Sequence, residues 1–354
     1  VKQAYPLRAL ETLARRQTME NSTSWGGLHR MVALVLLLAP AGQCVAQGWK
    51  PDRNIEIVIG TSPGGALDRT GRTLQRVLQD KKLAEVPVVV NNRPGGGGSV
   101  GLAYVAQQAD GNHTMITGQI LLTNHIMGRS RLNHTDFTPI AILRAEYIAL
   151  AVRADSPIAT ARDFVERLRK DPTSLSVATG TGVGTATHAS FAHAMSVAGV
   201  DLKRVRQVAF GSGGDSLTAL LGGHVDAMST PVPSILEQAR AGKVRIIVVG
   251  APRRVGGALA DVPTWTELGI KSSVDVWHGL VGPKTMTPAQ IAYWDQMLAR
   301  ATKDEAWQKE LERTLSENVY RNSADTAKLW QAEYGDMKEL FTTLGLAKPA
   351  PVSP

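Results

Sequence analysis

One cysteine, Cys44, stands in 354 residues. A lone cysteine closes no intrachain disulfide, and it cannot supply a cysteine metal cluster or a paired-thiol redox site. No apolar run is long enough to cross a bilayer as a helix. Met31-Val-Ala-Leu-Val-Leu-Leu-Leu-Ala39 is nine residues, where about 20 are needed. Runs of Lys and Arg interleaved with aromatics are missing too, and aromatics make up only 5% of the chain, so nucleic acid is a poor partner. There is no G-K-[S/T] for a phosphate loop and no H-E-x-x-H for a zinc protease. Eight histidines occur, but His188 and His193 are five apart, which does not align two ligands on one helix face.

What is present is a mild positive surplus. The net charge is +8, and the first 46 residues carry five basic and two acidic side chains. The remaining excess is small for some 300 residues; it suits an acidic small ligand and equally suits plain solubility. Arg30, the nine-residue apolar core and Cys44-Val45-Ala46 read as an export signal over residues 19–46, cut after Ala46. Residues 1–18 read as an upstream extension. Lipid attachment at Cys44 is the weaker alternative, because Gln43 stands where a small residue is wanted. The expected mature protein is periplasmic.

Strand and helix patterns then alternate. Ile55-Glu-Ile-Val-Ile59 reads as a strand, and Leu67, Thr70, Leu74, Val77 and Leu78 mark a helix over 66–79. Further strands are expected at 86–90, 114–117, 147–152, 175–178, 206–210, 225–228 and 244–249. Helices are expected at 99–109, 161–170 after Thr160, 186–198, 215–221 and from 234 to 242, with a turn at Ser229 to Pro233. Thr287-Pro288-Ala289-Gln290 is a capping box opening a helix with an apolar face of Ile291, Trp294, Met297, Leu298 and Ala301. Such alternation predicts an α/β protein with mainly parallel sheets. In open sheets of this kind, ligands sit at the carboxyl ends of the strands.

Those strand ends carry Gly-rich turns. Thr61-Ser-Pro-Gly-Gly-Ala-Leu-Asp68 links the first strand to its helix, and Thr179-Gly-Thr-Gly-Val-Gly-Thr185 repeats the arrangement in the second half. A turn of this type aims free N–H groups and the positive end of the helix dipole at one spot, which binds anions. Asp68 and Asp215 lie in first turns, where dipole complementarity accounts for them. Asp68 also reads as a brace for its loop, and His188 as a packing residue that braces the second. Gly97-Gly-Ser99-Val-Gly101 matches the nucleophile elbow, but Arg93-Pro94 and four glycines separate Ser99 from the strand. Ser99 is expected as a helix N-cap, with a serine hydrolase the remote alternative. Gly180-Thr-Gly182-Val-Gly184 lacks the G-x-G-x-x-G spacing of a dinucleotide site. Loops without an acid, base and nucleophile set bind a carboxylate and leave it unchanged.

These loops resemble those of the tripartite tricarboxylate transporter receptor family (TctC, or Bug receptors). Ser62-Pro-Gly-Gly-Ala-Leu-Asp68 resembles the family's P-G-G-G-x-D, with Ala66 replacing the third glycine, and Val90-Asn-Asn-Arg-Pro-Gly-Gly-Gly-Gly98 resembles its N-x-P-G-G-G-G. Thr138-Pro-Ile-Ala141, Val152-Arg-Ala-Asp-Ser-Pro157, Leu220-Leu-Gly-Gly-His-Val-Asp226, Ala241-Gly-Lys-Val-Arg245 and Asp261-Val-Pro-Thr264 follow in family order, so the likeness covers residues 49–347.

The resemblance implies a two-lobed periplasmic binding protein of type II kind, each lobe a mostly parallel sheet flanked by helices. Lobe one takes residues 47–148 and 270–354, lobe two residues 149–269. It implies that one ligand carboxylate is gripped by backbone N–H groups of two loops, one built from Ser62, Pro63, Gly64, Gly65 and Ala66 and the other containing Gly180, Thr181, Gly184 and Thr185. Gly118, Gln119, Ser212, Gly213 and Thr230 stand at other strand ends, toward the rest of the ligand. Thr185 replaces the family's usual serine, and Gln119 and Thr230 are less standard. A citrate-like tricarboxylate is the leading ligand class. The expected partners are that ligand and integral-membrane permease subunits, with no cofactor, no metal, no catalysis and a monomeric state. A periplasmic sensor presenting the ligand to a signalling protein is the alternative.

Overall fold

The computed structural model of the chain describes residues 48–179, 184–210, 213–272 and 276–349. β1 (Ile55–Ile59) buries Ile55, Ile57 and Ile59 on one face and Val58 on the other, with Glu56 the one charged and partly exposed residue. Ile57 and Ile59 join the Trp294 side of the core, while Val58 joins Leu102, Met115 and Trp330 on the other. α1 (Ala66–Asp80) follows, burying Leu74, Val77 and Leu78. Gly71 lets it approach the sheet, since a Cβ there would lie 2.5 Å from Ile59 Cδ1.

The chain continues through β2 (Val88–Asn92), α2 (Ser99–Ala106), β3 (His113–Thr117), α3 (Ile120–Ile126) and β4 (Phe137–Glu146). It then enters a second sheet with β5 (Ile148–Arg153), α4 (Ala161–Lys170), β6 (Ser176–Ala178), α5 (Ala186–Val197) and β7 (Arg206–Val208). α6 (Gly213–Leu221), β8 (Ala227–Pro231), α7 (Val232–Arg240) and β9 (Val244–Val249) complete that half. β10 (Val276–Pro283) returns to the first sheet, followed by α8 (Pro288–Ala301), α9 (Glu305–Thr314) and α10 (Ser323–Thr343).

The strand orders are β2-β1-β3-β10-β4 and β7-β6-β8-β5-β9. Four strands of each sheet run one way. The fifth, β10 in one and β5 in the other, is antiparallel to both neighbours. In each sheet this is the strand that has just crossed from the other half. The sheets are therefore mixed but predominantly parallel, in a two-lobed α/β fold. α10 spans the halves. Thr326 near its start accepts from the Ile142 backbone N–H at 3.0 Å, while Met337 and Phe341 near its end pack with Ile126, Met127 and Ala189 of α5.

Two local expectations fail. Ser229 to Pro231 is not a turn: β8 runs through Pro231 and α7 starts at once. Ser99 is not an N-cap: Gly98, at φ +92°, takes that position, because the preceding glycines form their own 3-10 turn. Ser99 Oγ instead accepts from the Asn124 side chain at 3.4 Å. α3, β4 and β10 were not expected at all; in β4 the charged Arg144 and Glu146 mask a buried strand. The capping box at Thr287 forms as expected, with Thr287 N–H donating to Gln290 Oε1 at 2.7 Å.

Candidate functional site

Two helix N-termini, one from each half, open on the same cavity of about 210 Å³. The first is α1. Gly64 turns with φ +85°, Gly65 takes the N-cap position, and no side chain caps the helix among the described residues. Its first-turn N–H groups are thus left for something else. The loop is held from behind. Asp68, 2% exposed, accepts from Gly64 N–H at 2.8 Å, from Arg72 Nε at 3.0 Å and from Asn92 Nδ2 at 2.8 Å. Arg69 donates to the Gly64 carbonyl at 3.0 Å. Burial alone would raise the Asp68 carboxyl, but these hydrogen bonds outweigh it and hold the group below its ordinary range.

The second N-terminus, α5, repeats the device with different chemistry. Gly184 turns with φ +87°, and its N–H donates to His188 Nδ1 at 3.3 Å, four residues on as in the first loop. Thr185 is the N-cap and accepts from His188 N–H. Gly184 also sits against Met127 at the end of α3, across the cleft. Nδ1 accepts, so the ring proton sits on Nε2 and the ring is neutral. Burial, reinforced by the Arg129 charge, lowers the His188 pKa to about 4.

That shift sets a pH dependence. In the unfolded chain histidine titrates near 6.5, so between 6.5 and about 4 the unfolded state holds more protons. Stability is therefore flat above 6.5 and falls as pH drops through the window. From His188 alone the loss between pH 7 and pH 5 is roughly 2 kcal/mol. His134, His193 and His278 are shifted in the same direction and add to it. Urea unfolding at the two pH values checks this; equal stability would contradict the neutral buried rings.

Of the residues expected to bind ligand, Ala66, Gly118, Gln119 and Thr185 line the cavity. Ser62, Pro63 and Gly64 form the exposed outer turn of the first loop, with Gly65 half-buried beneath. Asp68 and His188 stand behind the two loops. Gly213 begins α6, and Thr230 is buried in β8; neither lines the cavity, whereas Pro231 does. Gly180, Thr181 and Ser212 lie outside the described residues.

The rest of the lining is unexpected. Gly97 and Gly98 supply a third Gly-rich edge, and Gly98 Cα would lie 2.9 Å from a Cβ on Gly60. Thr117, Glu146, Trp277 and His278 contribute from the strands. His278 is buried, with Nδ1 2.7 Å from Thr70 Oγ1, and burial with the nearby Arg144 and Arg69 keeps it neutral. The one sequence signal for this floor was a pair of charges, Arg144 and Glu146, inside an apolar run. Larger hollows of about 340 and 420 Å³ lie beside α10 and α9, but the lining of neither includes Gly60, Ala66 or Thr185. Among the described residues no group of three or more His, Cys, Asp or Glu is arranged to hold a metal ion.

Comparison with known proteins gives the same architecture. A Cupriavidus necator protein, the UPF0065 protein in the gbd 5' region, is 27% identical over 91% of this chain and 96% of its own length. The structure of the periplasmic binding protein BugD is 26% identical and superposes with a TM-score of 0.72, covering 84% of this chain and 99% of that one. MatC from Rhodopseudomonas palustris, solved with bound malate, is 25% identical with a TM-score of 0.70, covering 82% and 99%. The family profile described as tripartite tricarboxylate transporter family receptor matches residues 72–346. The chain belongs to that receptor family.

Proposed function

We propose that this protein is an extracytoplasmic receptor that captures a small carboxylate metabolite for a tripartite secondary transporter and releases it unchanged. The observation that carries the reading is the convergence of two braced helix N-termini, α1 and α5, on one cavity. Partial positive charge from both dipoles and backbone N–H groups suits a carboxylate. The partition of strands between two sheets supports lobes at 47–148 with 270–354, and at 149–269, closing on the ligand. The malate in MatC supports a carboxylate as the ligand class. On this reading residues 19–46 direct export, the monomer delivers its ligand to integral-membrane permease subunits, and Gly180, Thr181 and Ser212 complete the grip. Citrate and other tricarboxylates enter the test beside smaller acids.

The test is a thermal-shift screen of mono-, di- and tricarboxylates against amides and sugars of similar size. A ligand at 100 times its Kd adds about 2.7 kcal/mol to stability. Stabilisation by a carboxylate, lost with the matching amide of the gripped group, is the expected result. No shift from any carboxylate at millimolar concentration would sink the reading.

A further inference from the structure

We propose that Glu146 selects ligands whose far end carries a hydrogen-bond donor in place of a second bare carboxylate. The inference rests on the carboxylate-receptor reading and narrows it. Glu146 is the last residue of β4 and pairs with Val276, the first of β10, so it sits where both crossing strands meet the cavity floor. Its side chain is 1% exposed. Oε1 accepts from Arg144 Nη2 at 2.9 Å, and Oε2 has no hydrogen-bond partner among the described residues.

Arg144 cannot serve the ligand. It is 2% exposed and donates to Glu146, Thr314 and Ser316, and it is absent from the cavity lining. It does fix the state of Glu146: neutralising the carboxyl would strand a buried guanidinium, a costly arrangement. Burial holds the Glu146 carboxyl above its ordinary range although the Arg144 and Arg69 charges pull it down, and it is the guanidinium 2.9 Å away that keeps it ionised. An ionised carboxylate oxygen only accepts hydrogen bonds. Leaving it unpaired in a buried site is unfavourable, because the oxygen has given up its water and gained nothing in return. The site is therefore completed by a ligand that brings a donor.

The other groups facing the cavity do not offset this. Thr61 Oγ1 and Thr117 Oγ1 are also unpartnered, but a hydroxyl serves either role; the Gln119 amide carries both a donor and an acceptor, and His278 is neutral. No Lys or Arg lines the cavity among the described residues. The helix N-termini provide for one carboxylate; a second one against Glu146 would meet like charge. An amide, hydroxyl or ammonium at the far end would instead donate to Oε2. Citrate and plain diacids are disfavoured on this ground.

The test uses matched acids of the same length: succinate against succinamate, glutarate against glutaramate, and adipate against adipamate, titrated calorimetrically at pH 7. The wild-type protein is expected to bind the half-amide of the best-fitting length at least about tenfold more tightly than the diacid. Glu146→Gln, which keeps the shape, should abolish or reverse that ratio. Preference for the diacid by the wild type, or the same ratio in the variant, overturns the inference and leaves the carboxylate reading standing. If E146Q does not fold, the wild-type ratio alone decides. No binding of any of the acids would overturn the carboxylate reading and this inference with it.

Discussion

Replacing Arg144 by methionine is expected to remove about 3–5 kcal/mol of folding stability, the usual effect of stranding one member of a buried ion pair. Arg144 and Glu146 are 2% and 1% exposed and 2.9 Å apart. Their neighbours are Thr314 and Ser316, whose hydroxyls cannot replace a cation. The double variant R144M/E146M should recover most of the loss, because an apolar pair of similar volume leaves no buried charge. Urea unfolding of both singles and the double closes the cycle. A double variant as unstable as R144M would mean that Arg144 works through its hydroxyl contacts and not through Glu146. The same double variant removes the orphan acceptor from the cavity.

Asp68→Ala is the second large effect. It withdraws the acceptor from three donors: Gly64 N–H, Arg72 Nε and Asn92 Nδ2. Hydrogen bonds to charged groups are worth about 1.5–3 kcal/mol each. Gly64 is exposed and Arg72 half-exposed, so water recovers part of the loss. A net cost of about 2–4 kcal/mol is expected. The functional cost should be larger than the fold alone suggests. With Gly64 released, the first loop must be ordered at the moment of binding, and affinity for the carboxylate should fall by about tenfold or more. Denaturant unfolding with calorimetric titration measures both. Unchanged affinity in a folded D68A protein would show that the loop holds its shape without the brace.

Much of the scaffold was legible because its signals are local. Ile55–Ile59 and Val244–Val249 are apolar runs with turn residues at their ends, and both strands fall where the runs do. α1 declares itself through Leu74, Val77 and Leu78, and α8 through its capping box. β4 was not legible, because Arg144 and Glu146 satisfy each other only once folded. β10 hides for another reason. Gly279 breaks its strand pattern, yet a Cβ there would come 2.8 Å from the Ala141 carbonyl, so close strand pairing demands the glycine. Ala66 and Thr185, which line the cavity from the two loops, could be read from glycine spacing. The floor could not, because Glu146, Trp277 and His278 meet the loops only through strands distant in sequence.

The crossing of β10 into the first sheet also orders assembly in time. β3 and β4 do not pair with each other; β10 lies between them and follows β4 by roughly 130 residues. A chain emerging from its N-terminus therefore carries a half-built first sheet with two open edges, exposed to wrong pairing. The second sheet, all of it within residues 148–249, has no such gap. It can close while the first still waits for β10. Newly made chains should thus pass through a stage with one finished sheet and one open sheet, and protection of Val177 and Val248 amides should precede that of Ile57 and Ile116.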